Sequence, residues 1–183
     1  MIPRLKETYQ KKLASDLQKK LNLTNPNAVP KMDKIVINVG IGKLNQDGKA
    51  ANAVIQELSK ITGQKPVIAK AKKAIANFKL RQGMPVGVMV TLRQAKMYEF
   101  MDRLFNVALP RVKDFKGVSR KGFDEKGNYT LGLREHTIFP EIEIDKAEHI
   151  FGMNITFVTK SRSKEHSLEL LTGFGMPFRE GNK

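Results

Sequence analysis

Two segments of this chain follow a strict period of two. Ile35, Ile37, Val39 and Ile41 alternate with Lys34, Val36, Asn38 and Gly40, and Val86, Val88, Val90 and Leu92 alternate with Gly87, Met89, Thr91 and Arg93. Successive side chains of a strand point to opposite faces, so each segment reads as a strand with one apolar face. Other elements of the chain must cover that face. The opposite face is mostly small and polar, and the alternation gives no reason to bury it.

Helical spacing supplies the cover. Leu5, Tyr9, Leu13, Leu17 and Leu21 recur every fourth residue among charged neighbours, which predicts an amphipathic helix. Val54, Ile55, Leu58 and Ile61 form a second stripe, with residues 45–48 as its turn and start and Gly63 as its C-terminal cap. Met97, Phe100, Met101, Leu104 and Phe105 form a third, stopped by Pro110. Leu168, Leu171 and Phe174 form a fourth, capped by Ser163 and ended by Gly173, Gly175 and Pro177. Residues 22–30 read as a loop, 66–70 as a short strand and 111–128 as a basic, loop-like segment. Tyr129, Leu131 and Leu133, then Ile155, Phe157 and Thr159, give two more strands. The order of elements predicts an α+β fold with a mostly antiparallel sheet, helices on one face and the other face left for a partner. The 183 residues suit a single domain with a basic loop at about 70–84.

Charge says what that partner is. Lys plus Arg number 33 against 18 Asp plus Glu, a formal net charge of +15. Between Glu57 and Glu99 no acidic residue occurs, while Lys60, Lys65, Lys70, Lys72, Lys73, Lys79, Arg81, Arg93 and Lys96 all do. A solvated surface normally mixes both signs, whereas a one-sign stretch repels itself until a polyanion neutralises it. Nucleic acid is the expected partner. No apolar run approaches the ~20 residues that span a bilayer, and the charged first twenty residues have no signal-peptide centre.

Enzymatic readings fail on chemistry. With no cysteine there is no disulfide, thiolate metal site or cysteine nucleophile. Gly40-Ile41-Gly42-Lys43 lacks the spacing of a phosphate loop, and Leu44 stands where Ser or Thr is needed. His136, His149 and His166 are scattered, with no helical metal-ligand spacing. Ser161, Ser163 and Ser167 lack a nucleophile-elbow context. Glu141, Glu143 and Asp145 alternate, so on a strand they would share one face, suited to docking a basic partner. No catalytic residue, cofactor, metal or small-molecule substrate is expected.

Aromatic residues are sparse on the non-core faces of the strands, so base stacking on the sheet is not expected. Asn38, Gly40, Gly87, Thr91 and Arg93 suit a folded RNA better. Small residues admit a close backbone, Asn and Thr bond 2′-hydroxyls or base edges, and Arg grips a phosphate with two parallel bonds. The rival readings are a general architectural nucleic-acid binder and a nucleotide-dependent enzyme using Gly40 to Lys43.

Several longer stretches then carry a resemblance. Leu58-Ser-Lys-Ile-Thr-Gly-Gln-Lys-Pro-Val-Ile-Ala-Lys-Ala-Lys-Lys-Ala74, Phe78-Lys-Leu-Arg-Gln-Gly83, Val90-Thr-Leu-Arg93, Leu109-Pro-Arg-Val-Lys-Asp-Phe-Lys-Gly117, Gly127-Asn-Tyr-Thr-Leu-Gly132, Ile138-Phe-Pro-Glu-Ile142 and Met176-Pro-Phe-Arg179 occur in this order. Together they strongly resemble the bacterial-type ribosomal protein L five family of the large subunit, over nearly the whole chain. One departure is Ala69, where the family often has Thr or Ser.

The resemblance implies a curved antiparallel sheet with helices on its convex side and the concave face towards RNA. It implies a structural constituent of the large ribosomal subunit, cytoplasmic in the ribosome, that binds 5S rRNA and helps anchor it in the central protuberance. The family's rRNA-binding positions fall on Asn38, Gln64, Thr91 and Arg93. Three of these the alternation already puts on non-core faces, and Gln64 follows the capping Gly63, where a side chain can project from the sheet edge. The basic loop matches the segment that meets P-site tRNA, through Lys70, Lys72, Lys73, Asn77, Lys79, Arg81 and Gln82. The segments around 109–122 and 135–150 match the region that meets small-subunit protein S thirteen at an intersubunit bridge, with Arg111, Lys113, Asp114, Glu141, Glu143 and Asp145 as its candidates.

Overall fold

The computed structural model describes residues 2–42, 48–78, 80–143, 149–161 and 163–179. Lys43, the turn at 45–47, Lys79 and Asp145 lie outside the described residues. Five strands form an open antiparallel sheet in the order β2-β3-β1-β5-β4: β1 Lys31–Gly40, β2 Val67–Lys70, β3 Pro85–Leu92, β4 Tyr129–Leu133 and β5 Met153–Lys160. The helices alongside are α1 Arg4–Thr8, α2 Ala14–Lys20, α3 Gly48–Thr62, α4 Gln94–Arg103 and α5 Lys164–Gly173. This is the expected α+β class. The chain clusters into two compact units, one of Met1–Ile35, Leu92–Leu131 and Thr156–Lys183, the other of Val36–Thr91 and Gly132–Ile155.

In the first unit the four-residue repeat is buried in an instructive way. On an α-helix such a stripe drifts by about 40° per step. The chain corrects this with a π-helical turn, Tyr9–Leu13, between α1 and α2. Leu5, Leu13 and Leu17 are buried, and Tyr9 stacks on Phe174 with ring centroids 5.8 Å apart. The Tyr9 hydroxyl donates to the Pro30 carbonyl at 3.0 Å. Gly173 is small because a Cβ there would collide with Leu13. A second aromatic group surrounds Tyr129, which meets Phe123, Phe157 and Phe178 and donates its hydroxyl to the Ser119 carbonyl at 2.6 Å. Burial pushes the Tyr129 phenol up to about 12. Ser163 caps α5, accepting the His166 N–H at 3.3 Å.

In the second unit Val54, Leu58 and Ile61 of α3 are fully buried, as are Ile37, Val39, Ile41 and Val88. Each such side chain contributes roughly 1.5–3 kcal/mol. Gly63 closes α3 at φ +63° with its N–H on the Ser59 carbonyl at 2.8 Å. Strand β2 pairs antiparallel with β3, Val67 opposite Met89 and Ala69 opposite Gly87, with the register slipping between Ala69 and Lys70.

One alternation in the sequence does not form a strand. Glu141 and Glu143 are not on a strand: a 3₁₀ turn at His136–Ile138 leads into bends, and Ile142 N–H donates to the Phe139 carbonyl at 3.2 Å. The residues that bury themselves there are Phe139 and Ile142, three apart, and they set a turn whatever the acidic alternation suggests. The basic loop after β2 carries its own backbone hydrogen bonds. Ala71 N–H donates to the Met84 carbonyl, Gly83 N–H donates to the Ala71 carbonyl, and Ile75 and Leu80 exchange backbone hydrogen bonds, so the β2–β3 hairpin continues outward in bonded form.

Candidate nucleic-acid interface

The alternation works in space as it does in sequence. In the second unit Asn38 and Gly40 of β1 and Met89 of β3 are exposed, Thr91 is half-buried, and their neighbours Ile37, Val39, Val88 and Val90 are buried. Gly87 sits beneath this polar row. A Cβ on it would lie 3.0 Å from the Val39 carbonyl oxygen and 3.4 Å from the Asn38 Oδ1. Glycine at 87 therefore gives the Asn38 carboxamide its place against β3. Gly40 and Gly42 would admit a Cβ with no atom within 4 Å, so the backbone is open to close approach there.

Gln64 does not project from the sheet edge. It is half-buried, and its Nε2 donates to the Thr91 carbonyl at 3.2 Å. The structure thus brings Gln64 and Thr91 together. A groove of about 590 Å³ beside Gln64 is lined by Ile55, Gln56, Ser59, Lys60, Gly63 and Lys65.

Arg93 belongs to the first unit. It stands one residue past β3, at the N-cap of α4, and is exposed. Its guanidinium is 3.8 Å from Asp33 Oδ2, while Lys160 Nζ is 3.3 Å from Asp33 Oδ1. Asp33 and Lys34 interrupt the burial alternation of β1, which is how an odd-numbered acid escapes the buried row of Ile35, Ile37 and Val39. One carboxylate shared by two exposed cations leaves net positive charge for a phosphate. On β4 and β5, Thr130 and Thr156 pair their exposed hydroxyls at 3.1 Å.

On the hairpin, Lys70, Lys72, Lys73, Asn77, Arg81 and Gln82 are all exposed. None of these four cations forms an ion pair among the described residues. Of the bridge candidates, Arg111, Lys113 and Asp114 are exposed in the first unit. Glu141 is half-buried and Glu143 exposed in the second.

Three features escaped the sequence. Asp33 carried no motif. Phe78, read as part of a family stretch, is solvent-exposed. His136, fully buried, places Nε2 3.0 Å from Glu57 Oε2, accepts the Phe151 N–H on Nδ1 at 3.4 Å and stacks on the Phe151 ring at 3.9 Å. Burial holds this imidazole below its ordinary value. Among the described residues no group of three or more His, Cys, Asp or Glu could hold a metal, and no helix is long and apolar enough to cross a membrane.

Comparison with known proteins bears on the class. Residues 25–81 match the model of the ribosomal protein L5 family, and residues 85–178 that of the ribosomal L5P family C-terminus. The large ribosomal subunit protein uL5 of Anaeromyxobacter sp. (strain Fw109-5) is 58% identical over 180 residues, covering 98% of this chain and 100% of the relative. That of Geobacter sulfurreducens is 58% identical over 178 residues, covering 97% and 99%. That of Clostridium botulinum is 54% identical over 178 residues, again covering 97% and 99%. Two family models laid end to end and relatives matched at full length leave one assignment: the chain belongs to the ribosomal protein L5 family, whose members are ribosomal proteins and not enzymes.

Proposed function

We propose that this chain is a constituent of the large ribosomal subunit that binds 5S rRNA and helps anchor it in the central protuberance. The observation that carries the reading is the polar row of Asn38, Gly40 and Thr91 beside Gly87, together with a stretch of sequence that has no acid between Glu57 and Glu99. Backbone carbonyls and small side chains there fit a folded RNA, and counterion release supplies much of the affinity. Asn38, Gln64, Thr91 and Arg93 are the rRNA-binding residues, with Gln64 acting through its hold on Thr91.

The hairpin has a separate task. Its exposed Lys70, Lys72, Lys73 and Arg81, with Asn77 and Gln82, meet P-site tRNA, and Lys79 adds charge. The turn at Glu141 and Glu143, with Asp145, and the segment of Arg111, Lys113 and Asp114 meet small-subunit protein S thirteen at the intersubunit bridge. Opposite charge between the carboxylates and a basic partner favours that pairing. The protein works in the cytoplasm, within the ribosome, and touches large-subunit rRNA.

Footprinting of 5S rRNA with and without the protein, alongside filter binding, tests this. If about six phosphates are neutralised, affinity falls roughly a thousandfold between 50 and 200 mM salt. Replacing Lys72, Lys73 and Lys79 with Ala leaves 5S rRNA binding nearly intact. A salt-insensitive complex, or equal affinity for unrelated duplexes, contradicts the proposal.

A further inference from the structure

The tip of the β2–β3 hairpin holds an aromatic ring out in water. Phe78 is 73% exposed and Ile75, beside it, 45%. Phe78 is the only exposed phenyl or phenol ring among the described residues. Its position is not that of a loose coil. Residues Ala76–Phe78 form a 3₁₀ turn, Phe78 N–H donates to the Ile75 carbonyl at 3.3 Å, and Ile75 and Leu80 close the base of the tip with paired backbone bonds. Folding gains little from a ring placed there, because it buries almost none of its apolar area.

Its surroundings select the occupant. Lys72, Lys73 and Arg81 are exposed within the same hairpin, Asn77 and Gln82 offer amides, and no acid occurs from Glu57 to Glu99. An apolar pocket on a protein would satisfy the ring but leave the cations without a counterpart. An RNA satisfies both, since every base has a π-face and every nucleotide a phosphate. We infer that Phe78 is a stacking platform for an unpaired nucleobase, held over the ring while Lys72, Lys73 and Arg81 take the flanking phosphates. This rests on the proposed meeting of the hairpin with tRNA and assigns the tip a base contact within it. It also relocates stacking from the sheet, where exposed aromatics are missing among the described residues, to the hairpin end.

The full chain contains no tryptophan, so Phe78→Trp gives a single indole reporter. Titrated at low salt, tRNA quenches that indole and a long, fully paired duplex does not. Phe78→Leu, which keeps an apolar side chain without the π-face, weakens tRNA binding about tenfold. Phe78→Tyr restores it. The thermal unfolding midpoint stays at the native value in all three, because the ring is exposed. Unchanged indole emission at saturating tRNA, equal quenching by the duplex, or native affinity in Phe78→Leu overturns the stacking. The combined Lys72→Ala, Lys73→Ala, Arg81→Ala variant separates the two levels. If it loses tRNA while Phe78→Leu does not, the stacking falls and the hairpin contact stands. If it binds tRNA like the native chain, the hairpin contact and the stacking fall together.

Discussion

Gln64 donates its side-chain amide to the backbone carbonyl of Thr91 at 3.2 Å, tying the end of α3 to β3. Thr62 Oγ1 reinforces the same corner, donating to the Leu58 carbonyl at 2.7 Å. The bond fixes the backbone at Thr91, so Gln64 serves the polar row from below. Gln64→Ala removes one partly buried hydrogen bond and lowers stability by about 1 kcal/mol. Gln64→Glu is worse than Gln64→Ala, because it sets a carboxylate against a carbonyl oxygen. Urea unfolding of the two variants checks the ranking.

Gly87 and Gly40 are predicted to differ. A Cβ at Gly87 presses on the Val39 carbonyl and the Asn38 carboxamide, whereas one at Gly40 meets nothing within 4 Å. Gly87→Val therefore costs about 1–3 kcal/mol of stability and displaces Asn38, weakening 5S rRNA binding. Gly40→Val leaves the unfolding midpoint near native and weakens rRNA binding by standing in the way of the RNA. Thermal melts paired with filter binding separate the two effects.

Arg93→Ala weakens 5S rRNA binding by about 1.5–3 kcal/mol, and Asn38→Ala and Thr91→Ala by less, since only the guanidinium makes a charge-assisted bond. Asp33→Asn acts in the opposite direction. It frees Arg93 and Lys160 from their shared carboxylate, so affinity for any polyanion rises and the preference for 5S rRNA over an unrelated duplex narrows. Competition filter binding measures both.

His136 gives stability a pH dependence whose sign follows from its burial. The folded imidazole sits below its ordinary value, so the unfolded chain takes up a proton first as pH falls through about 6.5. Its contribution is complete above that pH and is lost below it, at no more than about 1.4 kcal/mol per pH unit. Urea unfolding between pH 7 and 5 shows the slope, and His136→Gln flattens it. Glu57, at 3.0 Å from Nε2, is the carboxylate that faces the ring. Glu57→Gln removes the charge that would offset protonation and steepens the loss.

The sequence made the strands legible because burial drives their alternation: Ile35 to Ile41 and Val86 to Leu92 line up with the buried rows almost residue for residue. It announced the ends of α3 and α5 because Gly63 and Ser163 have backbone chemistry that few other residues supply. Glu141 and Glu143 alternate without forming a strand because solvation imposes no period on acids, so a period of two between them carries no information about backbone conformation. Phe78 was opaque for the converse reason, since a phenylalanine reads as core until its neighbours are known. The His136–Glu57 contact lies outside any local window, and Gln64 required the position of a carbonyl 27 residues further along.

The way the first unit is assembled bears on its synthesis. Leu13 nests against Gly173 and Tyr9 stacks on Phe174, while Arg4 pairs with Asp102, so the helices of residues 4–20 take their seat partly from α5 and partly from α4. Until α5 has been made, the leucine stripe of residues 5–17 lacks part of its native surface. Burial of the stripe therefore waits on contacts of long sequence separation, and that slows its folding.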